Sequence, residues 1–260
     1  MIGNPRGLRL TLAALAALMM VGACGNPMEV PAASQSPPAP PITVFAAASL
    51  TEAFTGIGAD FEARSGSAVT LSFGSSSTLA TQINQGAPAD VFAAASPATM
   101  KPVTDAGGAG TAVDFVSNTL QIAVSTGNPG KITGLGDFAD QSKTIAICAP
   151  QVPCGAAAVK VFAAARITPK PDTLEADAKA TLAKVAADEV DAALVYKTDV
   201  IAASDEVEGI EFPESGQAVN TYPIAVLTES KTADMAQAFV DYVLSAEGRA
   251  VLQKAGFGQP

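Results

Sequence analysis

From Ile42 onward, short and wholly apolar runs alternate with longer stretches in which apolar residues recur every three or four positions. The run ITVFAAA, Ile42 to Ala48, carries no charge, as expected of a strand buried on both faces of a sheet. In the next stretch, SLTEAFTGIGADFEARSG, Leu50, Phe54, Ile57 and Phe61 fall on one helical face, and Ser49 and Glu52 have capping-box spacing. AVTLSF (Ala68 to Phe73) predicts a second strand, followed by a helix over Leu79 to Gln85 that ends at Gly86. ADVFAAA (Ala89 to Ala95) predicts a third, with Pro97 placed to open a helix. Farther on, NTLQIAVSTG, KTIAIC, DAALVY (Asp191 to Tyr196) and TYPIAVL (Thr221 to Leu227) read as strands. GAAAVKVFAAARI and ADAKATLAKVAAD read as helices, and KTADMAQAFVDYVLSAEGRAVLQKAGF as one or two closing amphipathic helices. Such alternation predicts an α/β architecture with parallel sheets, and no internal repeat is visible.

In sheets of this kind ligands bind beyond the carboxyl ends of the strands, at helix N-termini. Small or hydroxyl residues hold those positions here. Ser49 follows the first strand and Ser76 the second, Cys154 and Gly155 precede an alanine-rich helix, Ala178 lies in the first turn of another, and Tyr196 ends a strand. The stretch SFGSSSTLATQI, Ser72 to Ile83, sets three serines at one helix start. A single N-cap needs one hydroxyl. Further hydroxyl donors beside the free N–H groups and positive end of a helix make a site for an anion. Taken singly, each serine reads as a cap and Tyr196 as an ordinary strand-end tyrosine.

Composition narrows the chemistry. A chain of 260 residues, 48% hydrophobic, is long enough for one large core or two lobes. Its net charge of −10 argues against nucleic acid as a partner, and means that an anion must be held by short-range contacts against a repelling field. With no histidine, the Ser-His-Asp and Cys-His arrangements and His-based zinc sites are excluded. Ser-x-x-Lys, G-x-S-x-G and Walker-type loops are also missing, while serine-lysine chemistry and carboxylate dyads stay open on composition alone.

The first segment has Arg6 and Arg9 ahead of an apolar stretch from Leu10 to Val21, the pattern of a secretory signal. Its ending VGAC resembles the bacterial lipoprotein signal, which makes residues 1–23 the signal peptide and Cys24 the lipidated first residue. Gly25 to Pro41 contains six prolines and one charge, and reads as a semi-extended tether. The expected location is extracytoplasmic, on a lipid anchor in the cell membrane. There Cys148 and Cys154, in ICAPQVPC, favour a disulfide, with two buried thiols as the alternative.

At ITVFAAASL, FGSSSTLATQINQGAPADVF, VPCG, ALVYKTD and YPIAV the chain resembles the molybdate-binding proteins of bacterial ABC importers, over Ile42 to Phe257. The resemblance implies a two-lobed α/β fold of the periplasmic-binding-protein type (type II), each lobe a mixed or parallel sheet flanked by helices, with the ligand in the interlobe cleft. It places residues 42–121 and 221–260 in the first lobe and 122–220 in the second. It implies molybdate or tungstate as ligand, held by the Ser49, Ser76 and Tyr196 hydroxyls and by main-chain N–H groups at Cys154 and Ala178. Cys154 stands where alanine is usual and Ala178 where valine is usual; backbone donors tolerate both changes. The implied partners are an ABC permease and its ATPase, with the protein a monomer that is not an enzyme and has no cofactor. Other oxyanions, a ferric ion bound through Tyr196, and serine-lysine hydrolysis are the competing readings.

Overall fold

The computed structural model describes residues 39–260. The signal peptide, Cys24 and all of the tether before residue 39 lie outside the described residues. Along the chain, β1 (Ile42–Ala47) passes through a 3-10 turn (Ala48–Leu50) into α1 (Thr51–Ser65), β2 (Val69–Gly74) into α2 (Ser76–Asn84), and β3 (Val91–Ala93) towards α3 (Pro97–Asp105). Next come β4 (Val113–Asn118) and β5 (Leu120–Ser125), separated by Thr119. The units β6 (Ile145–Cys148), α4 (Pro153–Ala165), β7 (Thr173–Glu175), α5 (Ala178–Ala186), β8 (Ala192–Tyr196), α6 (Lys197–Ala202) and β9 (Val207–Ile210) follow. The chain closes with β10 (Asn220–Val226), α7 (Ala233–Leu244) and α8 (Ala246–Lys254).

These strands form two five-stranded sheets, ordered β2-β1-β3-β10-β4 and β7-β6-β8-β5-β9. In each, three parallel strands continue into an antiparallel pair. The sheets are therefore mixed, and the two lobes repeat one topology that the sequence does not reveal. The antiparallel members β10 and β5 are the strands that arrive from the opposite lobe, and each runs against both of its neighbours. The crossings lie at Thr119 and just before Asn220. Leu120 and Gln121, expected in the first lobe, pair with Tyr196 and Val195 in the second sheet, and Asn220, expected in the second, pairs with Asn118 in the first.

Both faces of each sheet are covered, which explains the unbroken apolar runs. Val44 and Ala46 face one core with Phe54, Phe61 and Phe239, whereas Phe45 points to another with Leu79, Phe92 and Met100. In the second lobe Ile145 and Ile147 join Phe138, Val161 and Phe162, while Ala146 turns to Leu182 and Val185 on the other face. Core placement thus fixes the direction of each strand, and so where its C-terminal end delivers the following helix.

Candidate functional site

The C-terminal ends of β1, β2 and β8, and the loops after β6 and β7, converge between the lobes. Ser49, Ser76, Cys154, Ala178 and Tyr196 all line one small cavity, with Ser75 and Asp177 beside them. No lysine or arginine is among its lining residues.

The hydroxyls are held from behind. Ser76 Oγ accepts the Ala95 N–H at 2.9 Å, which leaves its own proton free to turn into the cavity. Asn220 Nδ2 donates at 2.6 Å to the Tyr196 hydroxyl and at 3.1 Å to the Ala95 carbonyl. The Tyr196 oxygen is thereby an acceptor on its protein side. Ser49 Oγ and Tyr222 OH share a hydrogen bond of 2.8 Å, with Asn118 Nδ2 3.5 Å from the Tyr222 oxygen. Either hydroxyl can donate in this pair. Burial, the largest cause, and then the neighbouring Tyr222 and Asp199 push the Tyr196 pKa well above its ordinary value. Tyr222 is also shifted upward, by burial first. Both phenols therefore stay neutral donors across the physiological range.

Main-chain donors complete the lining. Ser76 and Ala178 are the first residues of α2 and α5, and Cys154 is the second of α4. N–H groups at these positions have no intrahelical acceptor. Asp177 caps α5 through Ala180 N–H at 2.9 Å, leaving the Ala178 N–H outside that bond. The ends of the helices add partial positive charge.

Two capping expectations fail. Ser49 lies inside the 3-10 turn, α1 starts at Thr51 without a side-chain cap, and the hydroxyl is engaged by Tyr222 while Glu52 reaches Lys179. At α2 the N-cap residue is Ser75, whose side chain makes no capping bond. Sequence reasoning also did not assign Asn118, Asn220 and Tyr222. All three sit on the crossing strands β4 and β10, and their apolar or turn-like neighbours gave no signal of the hydroxyls they would meet.

The chain matches the model of the bacterial extracellular solute-binding proteins over residues 42–258. It is 40% identical to the molybdate-binding protein ModA of Mycobacterium tuberculosis H37Rv over 98% of this chain and all of that one. The chain belongs to the ModA family of solute-binding proteins. It is a transporter's binding protein, not an enzyme. Its fold is similar to that of the Azotobacter vinelandii periplasmic molybdate-binding protein, with a TM-score of 0.73 at 22% identity over 84% of this chain and 99% of that one. The sulfate-binding protein SubI of M. tuberculosis H37Rv has a TM-score of 0.75 at 18% identity over 84% and 86%. The fold is thus shared by proteins named for different oxyanions.

Two features of this ModA-family chain position the second lobe. The Cys148 and Cys154 sulfurs are 2.03 Å apart, joining the end of β6 to the first turn of α4. Beside them, a Cβ on Gly155 would lie 1.9 Å from the Ala149 carbonyl oxygen and 2.7 Å from that of Cys148. Only glycine allows this helix start to approach the loop so closely.

Across the cleft mouth, Lys179 Nζ stands 2.7 Å from Glu52 Oε1 of the other lobe and 3.4 Å from Asp199 Oδ1. Asp199 is fully buried and accepts the Tyr196 N–H at 3.2 Å. Burial pushes its pKa up to about 6, against the downward pull of Lys179 and the Tyr196 amide. Because the folded value exceeds the ordinary 3.8, its stabilising contribution is full below about pH 4 and is lost as the pH rises through about 6. Between those limits the difference is on the order of 2–3 kcal/mol. Thermal melts of the wild type and Asp199→Asn from pH 4 to 8 should therefore diverge, the variant gaining relative to the wild type as pH rises. Parallel melting curves across that range would contradict this assignment.

Proposed function

We propose that this protein captures molybdate, and tungstate with it, outside the cytoplasmic membrane and presents it to an ABC permease driven by its ATPase. The observation that carries the reading is the convergence of the Ser49, Ser76 and Tyr196 hydroxyls with the helix starts at Cys154 and Ala178 on one small cavity. Full-length 40% identity to a ModA protein supports the choice of ligand. In this reading the oxyanion is cargo and not a cofactor. Hydrogen bonds to charged groups contribute about 1.5–3 kcal/mol each, so five to seven donors suffice for the roughly 8–12 kcal/mol of micromolar to nanomolar binding. A set made of donors disfavours hydrogen phosphate, whose proton needs an acceptor. Sulfate has no such proton and is to be rejected by its smaller size.

The same reading makes residues 1–23 a signal peptide, Cys24 the lipid-bearing residue and the proline-rich stretch a tether for a monomeric domain. It also makes Cys148–Cys154 an oxidised pair that holds one binding loop, and sets the lobe boundaries at the two crossings. Ser49→Ala and Ser76→Ala test the site. Each should weaken molybdate binding by about 1–3 kcal/mol in calorimetric titration while leaving the circular dichroism spectrum unchanged. Wild-type affinity in both variants would remove these serines from the site.

A further inference from the structure

The three serines at the start of α2 have different surroundings. Ser77 Oγ donates at 2.8 Å to the Gln151 carbonyl of the opposite lobe, and Ser76 Oγ accepts the Ala95 N–H. Ser75 is 6% exposed, and its Oγ has no hydrogen-bond partner among the described residues. Two other buried polar atoms share that condition, Thr173 Oγ1 and Asp199 Oδ1, but neither residue lines the cavity. Ser75 does. It occupies the N-cap position, where a serine ordinarily satisfies its hydroxyl on the first turn, yet it makes no such bond.

A buried hydroxyl without a partner is costly, and native proteins rarely retain one without a role for it. The Ser76 and Tyr196 oxygens each accept a protein donor from behind. Ser75, a lining residue of the same cavity, has its buried hydroxyl uncommitted among the described residues. We propose that Ser75 is a further ligand-binding residue, whose hydroxyl donates to the bound tetrahedral oxyanion. The proposal rests on the oxyanion reading of the cavity. It raises the side-chain hydroxyls available to the anion to Ser49, Ser75, Ser76 and Tyr196, enough for one to each oxygen.

Because Ser75 makes no protein hydrogen bond, removing its hydroxyl should not weaken the empty protein. That separates a binding role from a structural one. The test compares wild type and Ser75→Ala by calorimetric titration with molybdate and by thermal melting without it. The expected result is a dissociation constant raised roughly 10- to 100-fold, with the melting temperature of the ligand-free protein unchanged or higher. An affinity within twofold of the wild type overturns the proposal, leaving the oxyanion reading intact. Weaker binding accompanied by a lower ligand-free melting temperature also overturns it, since the hydroxyl would then be supporting the fold. Failure of the wild type itself to bind molybdate or tungstate overturns the oxyanion reading and this assignment with it.

Discussion

Ser76→Asp should abolish molybdate binding while leaving the protein folded. Ser76 is 1% exposed, lines the cavity and takes the Ala95 N–H on its oxygen. A carboxylate there can accept that same N–H, and the N-terminus of α2 favours a negative charge, which offset part of the cost of burying it, so the ligand-free protein should stay folded. The ligand, however, is an anion. Two unit charges about 4 Å apart repel by about 4 kcal/mol at an effective dielectric of 20, and a dianion doubles this. The expected loss exceeds about a thousandfold, beyond detection by calorimetry. Retention of binding within tenfold would place the ligand elsewhere.

The second large effect is expected at Gly155. The obstacle to a side chain there is main chain, the Ala149 carbonyl, and so cannot rotate away. Gly155→Ala must displace either the first turn of α4 or the loop that Cys148 and Cys154 span. Overpacking of this severity costs about 3 kcal/mol or more, or about 6–12 °C in Tm for a domain of this size. It should also weaken molybdate binding at least tenfold, because Cys154 and its N–H move with the helix start. Gly74→Ala provides the comparison. Gly74 lines the same cavity, but a Cβ there would meet only Leu79 side-chain atoms at 3.8 Å and beyond. Its melting temperature should stay within about 2 °C of the wild type. Equal stability of the two variants would contradict the close approach at Gly155.

The strand–helix units were legible because parallel strands covered on both faces are written as unbroken apolar runs, as at Val44 to Ala47 and Ala192 to Val195. Direction was not legible. Nothing in the pattern of Leu120–Ser125 or Asn220–Val226 marks these strands as antiparallel, since that follows from the chain's passage between lobes. The edge strands Val113–Asn118, Thr173–Glu175 and Val207–Ile210 are short, mixed in polarity and partly exposed, so no periodicity announces them. At the site, the front row of hydroxyls could be read from residue type and position after each strand. The layer behind it could not. Asn118, Asn220 and Tyr222 meet Thr198, Tyr196 and Ser49 through contacts 24 to 173 residues apart in the chain, set by the crossings alone. Ser49 and Ser75 were expected to behave as local caps, and long-range surroundings decided otherwise.

The central claim is that this cavity selects a large tetrahedral oxyanion without a cationic side chain. Its most direct test is calorimetric titration of the protein with molybdate, tungstate, sulfate and phosphate in one buffer at one ionic strength. The predicted result is one-to-one binding of molybdate and tungstate at micromolar or tighter affinity, with no heat of binding from sulfate or phosphate. Sulfate or phosphate bound as tightly as molybdate, or silence from all four, would contradict it.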